Sequence, residues 1–113
     1  MLYPIERRYR RFDLQLPVRL SFPVGGALRK LETISKNVSV GGMLLKASDS
    51  IPVHAHVKLT MDVRAFGARR SVRLTSEGEV IRVEPEGTSG GFTVAIECKR
   101  PIKEIERRFS AAS

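Results

Sequence analysis

Arginines are concentrated near the start of the chain, in the run Arg7-Arg8-Tyr9-Arg10-Arg11. A guanidinium is a planar fork of donors, so it can bind a phosphate, or the O6 and N7 edge of guanine, at two points. It can also stack on the face of a base. Taken alone, a run of like charges is more typical of a solvated basic tail. The chemistry that this segment favours is recognition of an anion or a nucleotide.

A second group of polar residues and glycines forms the run Asn37-Val38-Ser39-Val40-Gly41-Gly42. In extended backbone Asn37 and Ser39 share one face, where an amide can bond a base edge and a hydroxyl a phosphate oxygen. Gly41 and Gly42 permit a tight turn and let a ligand approach the backbone. By itself the run is equally typical of a hairpin turn, since Asn, Ser and Gly are common turn residues.

Other residues with reactive side chains do not form a catalytic or metal-binding pattern. Ser39 is not in a nucleophile elbow and has no His and Asp partners in the sequence pattern. His54 and His56 lack a third ligand of the kind a metal site requires. Cys98 continues an apolar alternation and is predicted to be a core residue. The sequence therefore predicts no enzyme activity, no metal site and no cofactor.

The elements that must position the polar groups follow a period of two. Alternating apolar residues predict strands over residues 13–22, 56–63 and 92–98. Pro17 cannot donate to a ladder, which predicts a free edge or a bulge in the first strand. Residues 70–83 are also predicted as a strand, with a possible bulge at Gly78.

Only the C-terminal tail has the pattern of a helix. Pro101 suits a first helical turn, and Ile102, Ile105 and Phe109 fall on one stripe. Many short strands with one terminal helix indicate a closed barrel or a sandwich.

Length and composition restrict the class of protein. The 113 residues correspond to one domain, and a formal charge of +8 favours an anionic partner. A single cysteine excludes an intrachain disulfide and favours a reducing compartment. No apolar run approaches the length of a membrane span, and the first twelve residues do not resemble a secretory signal. We therefore expect a cytoplasmic protein.

Taken together, the two polar runs resemble the PilZ family. Its signature is RxxxR, often RRxxR, followed some twenty to thirty residues later by [D/N]xSxxG. The residues that match it are Arg7, Arg8, Arg11, Asn37, Ser39 and Gly42. The resemblance extends from about Glu6 to Glu97, through the intervening FDLQLPVRLSF and the later GEVIR and GFTVAI runs.

The resemblance implies a mainly all-β fold, a small antiparallel six-stranded β-barrel with a short C-terminal α-helix. Residues 1–12 would be a flexible arginine-rich segment, and residues 13–113 the barrel with its helix. The implied ligand is the bacterial second messenger cyclic-di-GMP. The match places Arg7 and Arg11 on phosphate and guanine edges, Asn37 on a guanine and Ser39 on a phosphate or base, while Gly42 keeps the surface open.

Two positions depart from the family pattern. Many members carry an aromatic residue near Arg82 that stacks on a guanine, and a guanidinium can stack there too. Many also carry glycine where this chain has Ala95. The ligand-binding residues expected from the sequence are Arg7, Arg8, Arg11, Asn37, Ser39, Gly41, Gly42 and Arg82.

The function expected from these observations is signal transduction by a receptor or adaptor that binds cyclic-di-GMP, changes conformation and signals to a downstream protein partner. One alternative is a β-barrel that binds single-stranded nucleic acid, although aromatic residues make up only 6% of the chain. The other is a PilZ-like domain that has lost its ligand and binds protein only. No specific nucleic-acid partner is expected.

Overall fold

The computed structural model of the protein describes residues 11–64, 71–87, 90–100 and 102. These residues contain six β-strands, numbered in chain order. Their bounds are β1 Pro17–Val24, β2 Ala27–Ser39, β3 Gly42–Ala47, β4 His56–Arg64, β5 Ser71–Pro85 and β6 Phe92–Cys98.

The six strands form a closed antiparallel barrel in the order β1-β2-β3-β6-β5-β4. Pairing of β1 with β4, from Val18 opposite Met61 to Ser21 opposite Lys58, closes the barrel. The prediction of an all-β, six-stranded antiparallel barrel is therefore confirmed. The predicted C-terminal helix falls mainly on residues outside the described ranges. Within those ranges, there is no helix with the length and apolar character that crossing a bilayer requires.

The period of two in the sequence builds the core. In β4 the alternate residues Val57, Leu59, Met61 and Val63 are buried, whereas Lys58 and Asp62 face solvent. Alternate apolar residues of β1 and β6 likewise enter the core, although Ala95 of β6 is buried as well. Apolar side chains of all six strands form one cluster. Burial of each such aliphatic side chain contributes about 1.5–3 kcal/mol to the free energy of folding, relative to leaving it exposed. The barrel interior is thus the hydrophobic core, which also contains the hydroxyls of Thr33 and Ser35, and the charged residues of the described strands lie on its outer wall.

The first strand begins later than the sequence predicted, at Pro17 instead of residue 13. Proline can start a strand because that position needs no donor for the ladder. Residues 12–16 still run beside β2, through Phe12 paired with Val38 and through the bond from Ser35 N–H to the Leu16 carbonyl. The Ser35 hydroxyl accepts from the Leu16 N–H at 2.9 Å and donates to the Leu14 carbonyl.

Two β-bulges interrupt the ladders. One lies between Ser35 and Asn37 in the pairing of β2 with β3, and the other between Val80 and Arg82 in the pairing of β5 with β6. The predicted bulge at Gly78 is wrong, since Gly78 pairs in register with both neighbouring strands. A side chain there would meet the Glu97 carbonyl oxygen at 2.7 Å, so glycine is required for space.

Candidate functional site

Each bulge turns a polar residue outward. Ser35 and Val80 point into the core, and two residues further along a regular strand the side chain would point inward again. The extra residue in each bulge reverses the inward and outward alternation, so that the second residue points outward. Asn37 is consequently half-buried on the outer wall, and Arg82 is exposed there. Bulges of this kind often re-aim side chains beside functional sites.

Strand register places these two residues in one row. Asn37 on β2 is opposite Leu44 on β3, Leu44 is opposite Ala95 on β6, and Ala95 is opposite Arg82 on β5. Neighbouring strands are about 4.8 Å apart, so the row spans about 14 Å of the outer wall. We call these four residues the outer row. Its two ends are polar, and its centre is a leucine and an alanine.

The N-terminal segment places Arg11 beside the start of this row. Phe12 and Val38 exchange backbone hydrogen bonds of 2.8 and 2.9 Å, and the two segments run antiparallel. Arg11 therefore lies opposite Ser39 in this register. Phe12 packs against the core, and the neighbouring Arg11 is exposed on the outside. The aromatic residue thus fixes the position at which the arginine leaves the barrel.

The turn between β2 and β3 holds the glycines of the second motif. The Ser39 hydroxyl donates to the Gly42 carbonyl at 3.2 Å, and the Gly41 carbonyl accepts from the Cys98 N–H at 2.9 Å. Neither glycine adopts left-handed backbone, so the turn does not depend on that freedom. Gly42 is required for space, because a side chain there would collide with the Ile96 carbonyl oxygen.

Ion pairs surround the outer row. Arg82 Nε lies 3.1 Å from Glu84 Oε1 on the same strand. Lys36, the extra residue of the β2 bulge, lies 2.8 Å from Glu86 Oε1 in the connection after β5. This hydrogen-bonded ammonium holds the pKa of Glu86 below its usual value. Sequence reasoning missed the Lys36–Glu86 pair, because its members come together only where β3 and β6 bring β2 and the end of β5 close to each other.

The remaining reactive side chains lie apart from the outer row. His54 Nδ1 is 2.9 Å from Glu79 Oε2, and this contact is the main cause of a lowered pKa of Glu79. Burial raises the pKa of Cys98 to about 11, so its thiol stays protonated. Across the part of the chain that the structure covers, no three potential metal ligands are grouped together.

Of the eight residues expected from the sequence, the structure brings six into one region of the outer wall. These are Arg11, Asn37, Ser39, Gly41, Gly42 and Arg82. Arg7 and Arg8 lie outside the described residues. The arrangement presents guanidinium, amide and hydroxyl groups around a small apolar floor, which can bind an anionic ligand that has flat rings.

Comparisons with solved structures agree with this architecture. The structure of an inhibitor of motility from Bacillus subtilis (MotI/DgrA) superimposes with a TM-score of 0.74 at 18% identity. The match covers 94% of this chain but 49% of that protein, so this chain spans about half its length. The PilZ domain of YcgR from Escherichia coli, solved with c-di-GMP, superimposes with a TM-score of 0.62 at 14% identity, covering 91% and 87% of the two chains.

A comparison with curated protein sequences gives no match. The model of the PilZ domain family matches residues 5–111, nearly the whole chain and both halves of the arginine and Asn-Ser-Gly signature. With the barrel order and the outer row described above, this match shows that the chain belongs to the PilZ family.

Proposed function

We propose that this chain is a receptor for cyclic-di-GMP that signals to a protein partner. The observation that supports the proposal most strongly is the pairing of Phe12 with Val38. This pairing brings together two signature halves that are distant in sequence, with Arg11 opposite Ser39 and Asn37 nearby. PilZ domains are non-catalytic receptor domains, and the proposed role is accordingly binding without chemistry.

In the proposed complex each polar group binds a different part of the ligand. Arg11 binds a phosphate or a guanine edge through its fork of donors, Ser39 bonds a phosphate oxygen, and Asn37 bonds a guanine edge. Leu44 and Ala95 form a floor against which a purine can pack. Arg82 stacks on a base once it leaves Glu84.

The arginine-rich segment that precedes Arg11 is proposed to supply the remaining contacts. Arg7 and Arg8 would close over the dinucleotide, and a segment that is flexible when free would become ordered on binding. Such ordering changes the shape and charge of the surface that a partner meets. The YcgR domain was solved with c-di-GMP, and MotI/DgrA is an inhibitor of motility. By analogy, we propose a downstream protein partner and a cytoplasmic location.

The single-stranded nucleic-acid alternative requires aromatic stacking platforms on the outer wall. Among the described residues, Phe22 is buried, and Phe12 and Phe92 pack against the core. The described part of the outer row therefore has no aromatic platform. This observation favours a dinucleotide receptor, and an oligonucleotide serves as a competitor in the test.

The test is calorimetric titration with cyclic-di-GMP of the unmodified protein, Arg11→Ala and Arg73→Ala. Arg73 forms an exposed ion pair with Asp62 on another part of the barrel, so its replacement controls for the loss of one charge. Loss of a charge-assisted contact costs about 1.5–3 kcal/mol, so Arg11→Ala should weaken binding about ten- to a hundredfold or more. Arg73→Ala should bind like the unmodified protein.

Selectivity provides the second arm of this experiment. Adenine presents a donor where guanine presents O6, and arginine cannot accept a hydrogen bond, so cyclic-di-AMP should bind far more weakly. Equal affinity for both dinucleotides would contradict guanine reading. Tight binding of a single-stranded oligonucleotide without any response to cyclic-di-GMP would support the nucleic-acid alternative instead.

A further inference from the structure

Lys36 extends across the barrel wall from its bulge. Its Nζ lies 3.0 Å from Thr93 Oγ1 on β6 and 2.8 Å from Glu86 Oε1. Because β3 lies between β2 and β6, the side chain must cross the outer face of β3. The Lys36 ammonium therefore has a defined anionic partner, the Glu86 carboxylate on the far side of β3.

Glu86 is held in place from both its backbone and its side chain. Its N–H donates to the Gly91 carbonyl at 3.0 Å across the β5–β6 connection, and its side chain is 21% exposed. Hydrogen bonding from Lys36, and secondarily from Thr93, lowers the pKa of this carboxyl, so it is ionised near neutral pH. The Lys36 ammonium, which donates to Thr93 Oγ1 and pairs with Glu86, forms an anion-binding point that a side chain of the same protein occupies.

This anion site borders the outer row. Lys36 immediately precedes Asn37, and Thr93 is two residues from Ala95 on the same outward face of β6. Lys46, opposite Thr93 on β3, adds positive charge near Glu86. An anionic ligand on the outer row would therefore bring its charge next to Lys36 and the Glu86 carboxylate.

We propose that Lys36 and Thr93 form a further anion-binding point of the receptor face, where a phosphate of the ligand replaces the carboxylate of Glu86. This inference rests on the proposed function. The exchange transfers the Lys36 ion pair from Glu86 to the ligand and leaves Glu86 beside a like charge. Glu86 thus competes with the ligand, and its displacement changes the charge of the surface that a partner can read.

The test is a double-mutant cycle on cyclic-di-GMP affinity with Glu86→Gln, Lys36→Gln and the double variant. Removing the competing charge should tighten binding about two- to fivefold, the range of an exposed ion pair. Lys36→Gln should weaken binding about three- to tenfold, and Thr93→Val should weaken it less. In the Lys36→Gln background, Glu86→Gln should produce no further gain, because the two effects act through one contact.

Glu32→Gln is the matched control, since it removes one negative charge from an exposed ion pair with Arg19, away from the outer row. If Glu32→Gln tightens binding as much as Glu86→Gln, or if the Glu86→Gln gain persists without Lys36, the anion-site proposal is overturned while the receptor function stands. No heat from the unmodified protein with cyclic-di-GMP overturns both.

A measurement on the free protein tests directly whether the Lys36–Glu86 ion pair forms in solution. NMR titration of the Glu86 carboxyl carbon should give a pKa that rises when Lys36→Gln removes the ammonium. An unchanged pKa would show that the ion pair does not form in solution, and would also overturn the anion-site proposal.

Discussion

The two sides of the barrel wall differ in their regularity. Where β1, β4 and the first half of β5 meet, the ladders run without a register shift, from Val18 opposite Met61 to Arg64 opposite Ser71. Where β2 meets β3 and where β6 meets the second half of β5, each ladder contains a bulge. We call these the regular wall and the bulged wall. Both build the core with the same alternation, but only the bulged wall reverses that alternation to expose polar groups.

The comparison indicates that stability and binding belong to different parts of one barrel. Outward residues of the regular wall form exposed cross-strand ion pairs such as Arg73–Asp62, which need no ligand. The bulged wall instead carries Asn37, Arg82 and a buried alanine, Ala95, which is 6% exposed although it faces outward. Substitutions in the two walls should therefore separate folding from affinity.

The largest expected effect is on folding, from Leu59→Ala in the regular wall. Leu59 is fully buried between β1 and β5, and truncation leaves a cavity. We expect a loss of about 2–5 kcal/mol in the free energy of unfolding, measured by urea denaturation. Affinity for cyclic-di-GMP, measured where the variant remains folded, should not change. A fall in affinity like that of Arg11→Ala would mean that the walls are not separable.

A smaller effect on folding, together with an effect on binding, is expected from Ser35→Ala beside the β2 bulge. The hydroxyl bonds the backbone of Leu14 and Leu16, so its loss should cost about 1–3 kcal/mol. Residues 12–16 also hold Arg11 opposite Ser39, and affinity should fall several-fold with the loss of this positioning.

Thr33→Val is the matched control for Ser35→Ala. Thr33 is a buried hydroxyl on the same strand that donates to the Val18 carbonyl at 2.8 Å, outside the bulge. It should lose about 0.5–1.5 kcal/mol of stability and keep full affinity. If both variants lose affinity in proportion to stability, Ser35 has no special role in positioning Arg11.

The smallest effects are expected from two exposed carboxylates, Glu84 and Asp62. Glu84→Gln and Asp62→Asn each break one arginine ion pair and should change stability by less than about 1 kcal/mol. Only Glu84→Gln releases an arginine of the outer row, so only this variant should tighten cyclic-di-GMP binding, by about two- to fivefold. If calorimetry gives the two variants equal affinity for cyclic-di-GMP, the proposal that Arg82 contacts the ligand is wrong.

Alternation of apolar residues predicted β4 of the regular wall and β6 of the bulged wall well. The predicted strands over residues 56–63 and 92–98 agree with β4 and β6, because every second side chain there enters the core. The shared face of Asn37 and Ser39 was also predicted, since both lie beyond the bulge, where the period of two resumes.

The bulges themselves could not be predicted from the pattern. Their extra positions are Lys36 and Ile81, neither of which is a glycine, while Gly78, the expected position, pairs regularly. A bulge is determined by what the partner strands require across the ladder, which a single strand does not reveal. The Lys36–Glu86 pair was likewise hidden, because it depends on β2 and the end of β5 being brought together by β3 and β6.

The strand order of the barrel also has a consequence for how the chain is made. β3 has β6 as its second neighbour, and β6 is the last of the six strands in the chain. During synthesis, the edges of β3 and β5 that pair with β6 therefore remain unpaired until Phe92–Cys98 has been synthesised. Open strand edges of this kind invite pairing with other chains. Nascent chains that stop before β6 should accordingly aggregate more readily than chains that include it, because the barrel cannot close without β6.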